Sequence, residues 1–110
     1  MIEIRHYVSR AGKDVFDDWL SELADARAQA KIATRIDRLA AGNFGDCKPL
    51  RHGLCELRID WGPGYRVYFG RDGAVLAILL TGGTKRRQQR DIETAEALWT
   101  EYKRRRTQSR

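Results

Sequence analysis

The side chains best suited to chemistry in this chain are cations. Arg58 and Arg66 fall in Glu56-Leu-Arg-Ile-Asp-Trp-Gly-Pro-Gly-Tyr-Arg-Val-Tyr-Phe-Gly-Arg71, and Lys85, Arg86 and Arg87 follow the pair Gly82-Gly83. Leu57, Ile59, Tyr65, Val67 and Phe69 alternate on either side of Trp61-Gly62-Pro63-Gly64. That pattern reads as two strands around a tight reversal, with those apolar residues on one face. The same alternation sends Glu56, Arg58, Asp60, Arg66 and Tyr68 to the other face. If Ile59 pairs with Tyr65, Arg58 lies opposite Arg66. Like charges directly opposed in a ladder are destabilising. They require an offset, which is either a lattice with Glu56 and Asp60 or an anionic ligand such as a phosphate.

Arginine holds phosphate bidentately, and lysine can also pass a proton to a reacting oxygen. Gly82-Gly83 could turn backbone N–H groups toward an anion, and a helix starting near Thr84 would add partial positive charge. Convergence of these groups requires the late strands to be neighbours, as short connections favour. Glu56, a carboxylate among arginines, is a candidate base. His52, in Arg51-His-Gly on the loop leading to the Glu56 strand, could move protons as a neutral imidazole. Arg51 adds a further cation, and Tyr68 and Trp61 are available for stacking on bases. His6 reads as a structural strand residue. The chain has no Walker loop, dinucleotide fingerprint or HExxH, and no zinc spacing, so no metal site is expected. Cys47 and Cys55 read as reduced packing thiols.

Charge distribution supports a polyanionic or acidic partner. The formal net charge is +6. Residues 1–48 balance eight basic against eight acidic side chains, whereas residues 84–110 carry nine basic and four acidic ones. A segmental basic excess of this kind suits a polyanion or an acidic protein. Lys103-Arg-Arg-Arg106 opens a basic tail, expected to lie beyond the last apolar contact, Tyr102. No apolar run follows a basic start, so no signal peptide is expected. The longest apolar run, Ala74-Val-Leu-Ala-Ile-Leu-Leu80, is too short to cross a bilayer. The expected setting is the cytoplasm, with no membrane partner.

These side chains need a scaffold, and its elements are legible. Ile2 to Val8 alternates as an opening strand, broken by Ser9 to Gly12. Val15, Phe16, Trp19, Leu20 and Leu23 recur at helical spacing. A second helix begins after the N-cap candidate Asp25, presents Ile32, Ile36, Leu39 and Ala40, and stops near Gly42-Asn43. Residues 43–53 read as loop. The two strands already described follow, and Asp72-Gly73 turns the chain into a buried strand, Ala74–Leu80, ended by Thr81-Gly-Gly-Thr84. A last helix presents Ile92, Ala95, Leu98 or Trp99, and Tyr102, with Arg87, Arg90, Glu93 and Glu101 toward solvent. The order is strand, helix, helix, strand, strand, strand, helix. It specifies a single α+β domain over residues 1–110, with a small, mostly antiparallel sheet.

The combined pattern resembles the RelE/ParE superfamily of type II toxin–antitoxin toxins, nearest to the addiction-module killer proteins of the HigB-like branch. Glu56 to Phe69 carries the resemblance, with Leu79-Leu-Thr-Gly-Gly-x-Lys85, Gln88-x-x-Asp-Ile92, the Ala95-to-Trp99 helix and Lys48-Pro-Leu-x-x-Gly-Leu54. It implies a compact antiparallel α+β fold and a cognate helix-turn-helix antitoxin, through which operator DNA would be bound indirectly. It also implies a metal-independent, cofactor-free endoribonuclease that cuts mRNA on the ribosome by attack of the ribose 2′-OH. Arg66 matches the Tyr-Arg arginine of RelE-like toxins, Arg58 their preceding basic strand position, and Lys85-Arg86 their basic pair. The resemblance thus implies Arg66, Arg58 and Lys85 as catalytic, and the reading of the residues adds Glu56 as a base; Arg86, Arg87, Arg51, His52 and Tyr68 are the residues expected to bind RNA. Two positions depart from RelE-like toxins. Ile92 falls near their late tyrosine, and Glu56 stands where they carry lysine. ParE-like inhibition of DNA gyrase, and a non-catalytic module that only binds antitoxin, are the alternatives.

Overall fold

The computed structural model describes residues 1–108. Its strands are β1 (Glu3–His6), β2 (Cys47–Pro49), β3 (Leu54–Ile59), β4 (Tyr65–Asp72) and β5 (Leu76–Thr84). Its helices are α1 (Val15–Ser21), α2 (Ala26–Ala40) and α3 (Gln88–Gln108), with single 3-10 turns at Arg51–Gly53 and Lys85–Arg87. The five strands form one mixed sheet in the order β1-β5-β4-β3-β2. β1 runs parallel to β5, and every other pairing is antiparallel. No described helix is long and apolar enough to cross a membrane.

Both sheet faces are covered, which explains why β5 is apolar along most of its length. On one face, Phe16 of α1 and Ile32 and Leu39 of α2 pack on Leu57, Val67, Phe69 and Leu79. On the other, Ala95 and Trp99 of α3 pack on Leu54, Tyr68, Ile78 and Leu80. Burying each large apolar side chain contributes roughly 1.5–3 kcal/mol. Both early helices carry aspartate caps. Asp14 accepts from Asp17 N at 3.0 Å, and Asp25 accepts from Arg27 N at 2.9 Å and Ala28 N at 3.3 Å. Each cap satisfies N–H groups that the helix cannot, for about 1 kcal/mol.

Four expectations need correction. The segment read as loop over residues 43–53 contains β2, a three-residue edge strand too short to show periodicity; its Pro49 is tolerated because the strand has a neighbour on one side only. β5 runs on to Thr84, and Gly82 and Gly83 are ladder residues opposite Val67 and Arg66 rather than a turn. They are glycines because of close approach: a β-carbon on Gly82 would overlap the Trp19 ring, and one on Gly83 the Asp91 carboxylate. α3 therefore begins at Gln88, later than Thr84. Finally, α3 does not loosen after Tyr102.

The end of α3 is fastened to the sheet. Arg106 pairs with Asp72, which also accepts from Tyr102 Oη at 2.9 Å. Arg105 donates to Val8 O at 2.6 Å and lies over the Tyr7 ring. Glu101, expected in solvent, accepts from Tyr7 Oη at 2.7 Å and pairs with Arg105 at 2.9 Å. Ser109 and Arg110, the end of the expected tail, lie outside the described residues.

Candidate functional site

The β3–β4 register sets the geometry. Ile59 pairs with Tyr65, so Arg58 stands opposite Arg66 and Glu56 opposite Tyr68. All four project to the face that α3 covers, near that helix's first turn. The carboxylate of Glu56 is fully buried and multiply bonded. Oε1 accepts from Arg58 Nε at 2.9 Å; Oε2 accepts from Tyr68 Oη at 3.0 Å and Gln88 Nε2 at 2.8 Å. Burial alone would raise its pKa, but the hydrogen bonds from Arg58, Gln88 and Tyr68 outweigh it and hold the pKa below the usual range. Burial, with the Glu56 charge beside it, pushes the Tyr68 phenol far up, so it stays a donor.

Arg66 is placed differently. It is only 9% exposed, and no carboxylate pairs with it among the described residues. One Nη donates to Tyr65 O at 3.3 Å, and Nε has no hydrogen-bond partner. Lys85 is drawn to the same place by backbone geometry. Its N–H donates to Gly64 O at 2.7 Å, and Gly64 has a left-handed φ of 81°. A β-carbon there would lie 3.3 Å from Lys85 Cβ and 3.7 Å from Arg66 Nη1, so glycine lets both cations flank one turn. The Lys85 side chain is exposed; Arg86 and Arg87 follow it, exposed, on the 3-10 turn.

The expected residues thus divide. Arg58, Arg66, Lys85 and Glu56 come together, with Arg86 and Arg87 at the margin. Arg51 and His52 do not join them. They precede β3, and the four residues from Leu54 to Arg58 span about 13 Å at ~3.3 Å each. His52 has a left-handed φ of 59°, and its carbonyl accepts from Trp99 Nε1 at 2.8 Å. Tyr68, expected to stack on a base, has no exposed surface; it orients Glu56 instead. Trp61 is half-buried, with Lys31 Nζ 4.4 Å above its ring.

Three residues given no role from sequence belong to this region. Gln88 fixes Glu56. Lys48 pairs with Glu56 across the β2–β3 ladder and so shares its face. Asp91 lies against Gly83, with Oδ2 buried and without a hydrogen bond. Burial pushes its carboxyl pKa up, although Arg87 and Arg90 pull the other way. The spacing Gln88-x-x-Asp91 was the available signal, since residues three apart share a helix face.

The fold and this cluster define a small α+β protein that gathers arginine and lysine around a buried carboxylate at one end of a mixed sheet. The chain belongs to the family described as phage derived protein Gp49-like (DUF891), which it matches over residues 18–100. That family is one of toxin–antitoxin toxins, RelE-like in kind, and membership points to an antitoxin as partner. An uncharacterized protein of Haemophilus influenzae is 55% identical over 83 residues, covering 76% of this chain and 84% of that protein.

Proposed function

We propose that this toxin is a metal-independent, ribosome-dependent mRNA endonuclease, with the RelE/ParE chain topology and a HigB-like affiliation. The observation that carries the reading is Arg66: a nearly buried guanidinium opposite a second arginine, with no carboxylate of its own. Glu56 compensates Arg58, so a salt-bridge lattice accounts for only half of the opposed pair. A phosphate between Arg66 and Lys85 supplies the missing negative charge.

The reaction follows from that placement. The ribose 2′-oxygen attacks the adjacent phosphorus as its proton passes to solvent water, the bond to the 5′-oxygen breaks, and a 2′,3′-cyclic phosphate and a 5′-hydroxyl end result. Arg66, Arg58 and Lys85 stabilise the charge that builds on the phosphorane, and the Lys85 ammonium gives a proton to the departing oxygen. A preorganised donor of this kind contributes about 3–4 kcal/mol to the transition state. Glu56, fully buried, orients Arg58 and does not touch substrate. Arg86 and Arg87 hold flanking phosphates, while Arg51 and His52 contact RNA or ribosome farther along the sheet. An antitoxin of the helix-turn-helix type neutralises the toxin and carries it to operator DNA.

The test is induction without antitoxin, with mRNA 5′ ends mapped alongside protein and DNA synthesis rates. New 5′ ends with arrested translation are expected. DNA damage with intact mRNA would instead identify a gyrase inhibitor, and unaffected growth with normal antitoxin binding a non-catalytic module.

A further inference from the structure

A second polar site lies on the opposite face of the same strand end. A cavity of about 330 Å³ opens between α2 and the end of β3, lined by Ala30, Lys31, Thr34, Arg35, Arg38, Ile59 and Asp60. Lys31, Arg35 and Arg38 are four and three residues apart, so one helix face presents all three cations. Arg35 is fixed: it donates to Arg58 O at 2.5 Å, Phe44 O at 3.3 Å and Asp46 O at 3.4 Å. Lys31 and Arg38 are exposed, and neither has an ion-pair partner among the described residues. Ile59 lines this cavity while its neighbour Arg58 serves the first site. The two sites therefore meet at consecutive residues of β3, and Arg35 is bonded to the carbonyl that joins them.

We propose that this cavity is a second nucleotide subsite, holding the single-stranded RNA that runs on from the Arg66 site around the β3–β4 reversal. The proposal rests on the function proposed above and adds where the flanking RNA goes. Three features select RNA over an acidic protein segment. Lys31 and Arg38 suit a phosphate. Asp60 suits the amino or imino donors of a base, whereas it would repel the carboxylates of an acidic peptide. Of the apolar lining residues, Ile59 is buried and Ala30 is small, too little apolar surface for the side chains of a folding segment. The volume falls within the usual span for small-ligand sites, roughly 300–1,000 Å³.

The experiment measures binding of a fluorescent 2′-O-methyl RNA octamer, which lacks the attacking hydroxyl and cannot be cut, by anisotropy across a salt series. The proteins are wild type, Lys31→Gln/Arg38→Gln, and Arg27→Gln, which removes a cation from α2 outside the cavity. Loss of two phosphate contacts should flatten the slope of log affinity against log salt by about 1.4, at ~0.7 per contact on single strands. Affinity at low salt should fall at least tenfold in the double variant and change less than twofold in Arg27→Gln, with all thermal midpoints alike. The proposal is overturned if wild type does not bind the octamer, if the double variant binds like wild type, or if Arg27→Gln loses as much. It is also overturned if a polyglutamate peptide binds the cavity more tightly than the octamer does. Failure of the proposed function reads out separately. Wild type that binds the octamer as described but leaves cellular mRNA uncut would refute the nuclease and leave the subsite standing. Wild type that cuts mRNA, with a double variant of unchanged affinity, would do the reverse.

Discussion

Arg58 and Arg66 face each other across the β3–β4 ladder, yet only Arg58 is answered by a carboxylate. This asymmetry makes Arg66 the residue most directly testable. Arg66→Ala should abolish growth arrest and mRNA cleavage while the fold survives. It removes the uncompensated charge, so the thermal midpoint should stay near wild type or rise. The loss of cleavage should be about 100- to 1000-fold. A variant equally toxic at matched expression would exclude Arg66 from the chemistry.

Glu56→Gln should have the opposite effect on stability. It leaves Arg58, still facing Arg66, without its carboxylate. Breaking a fully buried pair costs about 3–5 kcal/mol; because the Arg58 side chain is 32% exposed, solvent screening reduces the expectation to about 2 kcal/mol. The pH dependence follows in sign. The folded-state pKa of Glu56 is depressed, so the unfolded chain binds the proton more readily. The stabilisation is present above the unfolded value of about 4.3 and disappears as pH falls through the lower folded value. Urea unfolding of wild type and variant from neutral to acid pH should show the gap closing in that window. A gap unchanged with pH would mean that the Glu56 charge contributes nothing.

Asp91→Asn separates burial from charge. The folded pKa of Asp91 is raised, so its ionised form is disfavoured by folding at neutral pH. The neutral amide should be modestly more stable than wild type at pH 7, and the difference should vanish once pH falls below the unfolded value, about 3.9. Thermal melts at both pH values check this. A destabilised variant at pH 7 would reveal a partner for the buried oxygen.

Docking and catalysis should separate between the Lys85 turn and the far end of α3. Lys85→Ala should keep ribosome binding and lose cleavage. Deleting residues 104–110 should weaken ribosome binding, flatten its salt dependence and leave cleavage positions unchanged. It also removes Arg106 from Asp72 and Arg105 from Val8, so stability should fall by about 1 kcal/mol, the scale of a partly exposed pair. Ribosome pelleting, 5′-end mapping and thermal melts on both variants measure all three quantities. Shifted cleavage positions in the truncated protein would merge the two roles.

The register of the central hairpin was legible because Trp61 to Gly64 marks the reversal and a slip of one residue would turn Leu57 and Val67 out of the core. From that register came the opposed arginines. Gly82-Gly83 misled because glycine serves both turns and close contacts, and only Trp19 and Asp91, distant in sequence, decide between them. Tyr68 opposite Glu56 followed from the same register, whereas Gln88 reaches Glu56 from α3 by tertiary packing, and its spacing from Asp91 marked only a shared helix face. The last turns of α3 read as a solvated basic run because their anchors, Asp72 and Val8, lie far away along the chain.

The parallel pairing of β1 with β5 bears on the order of assembly. Glu3 must find Leu76, while β3, β4 and β5 are joined by short turns. Closing a long loop lowers chain entropy more than closing a short one, so neighbouring contacts form first. The meander should therefore be in register while the first strand is still searching. The two arginines meet early in folding, and β1 covers the β5 edge, away from them, afterwards.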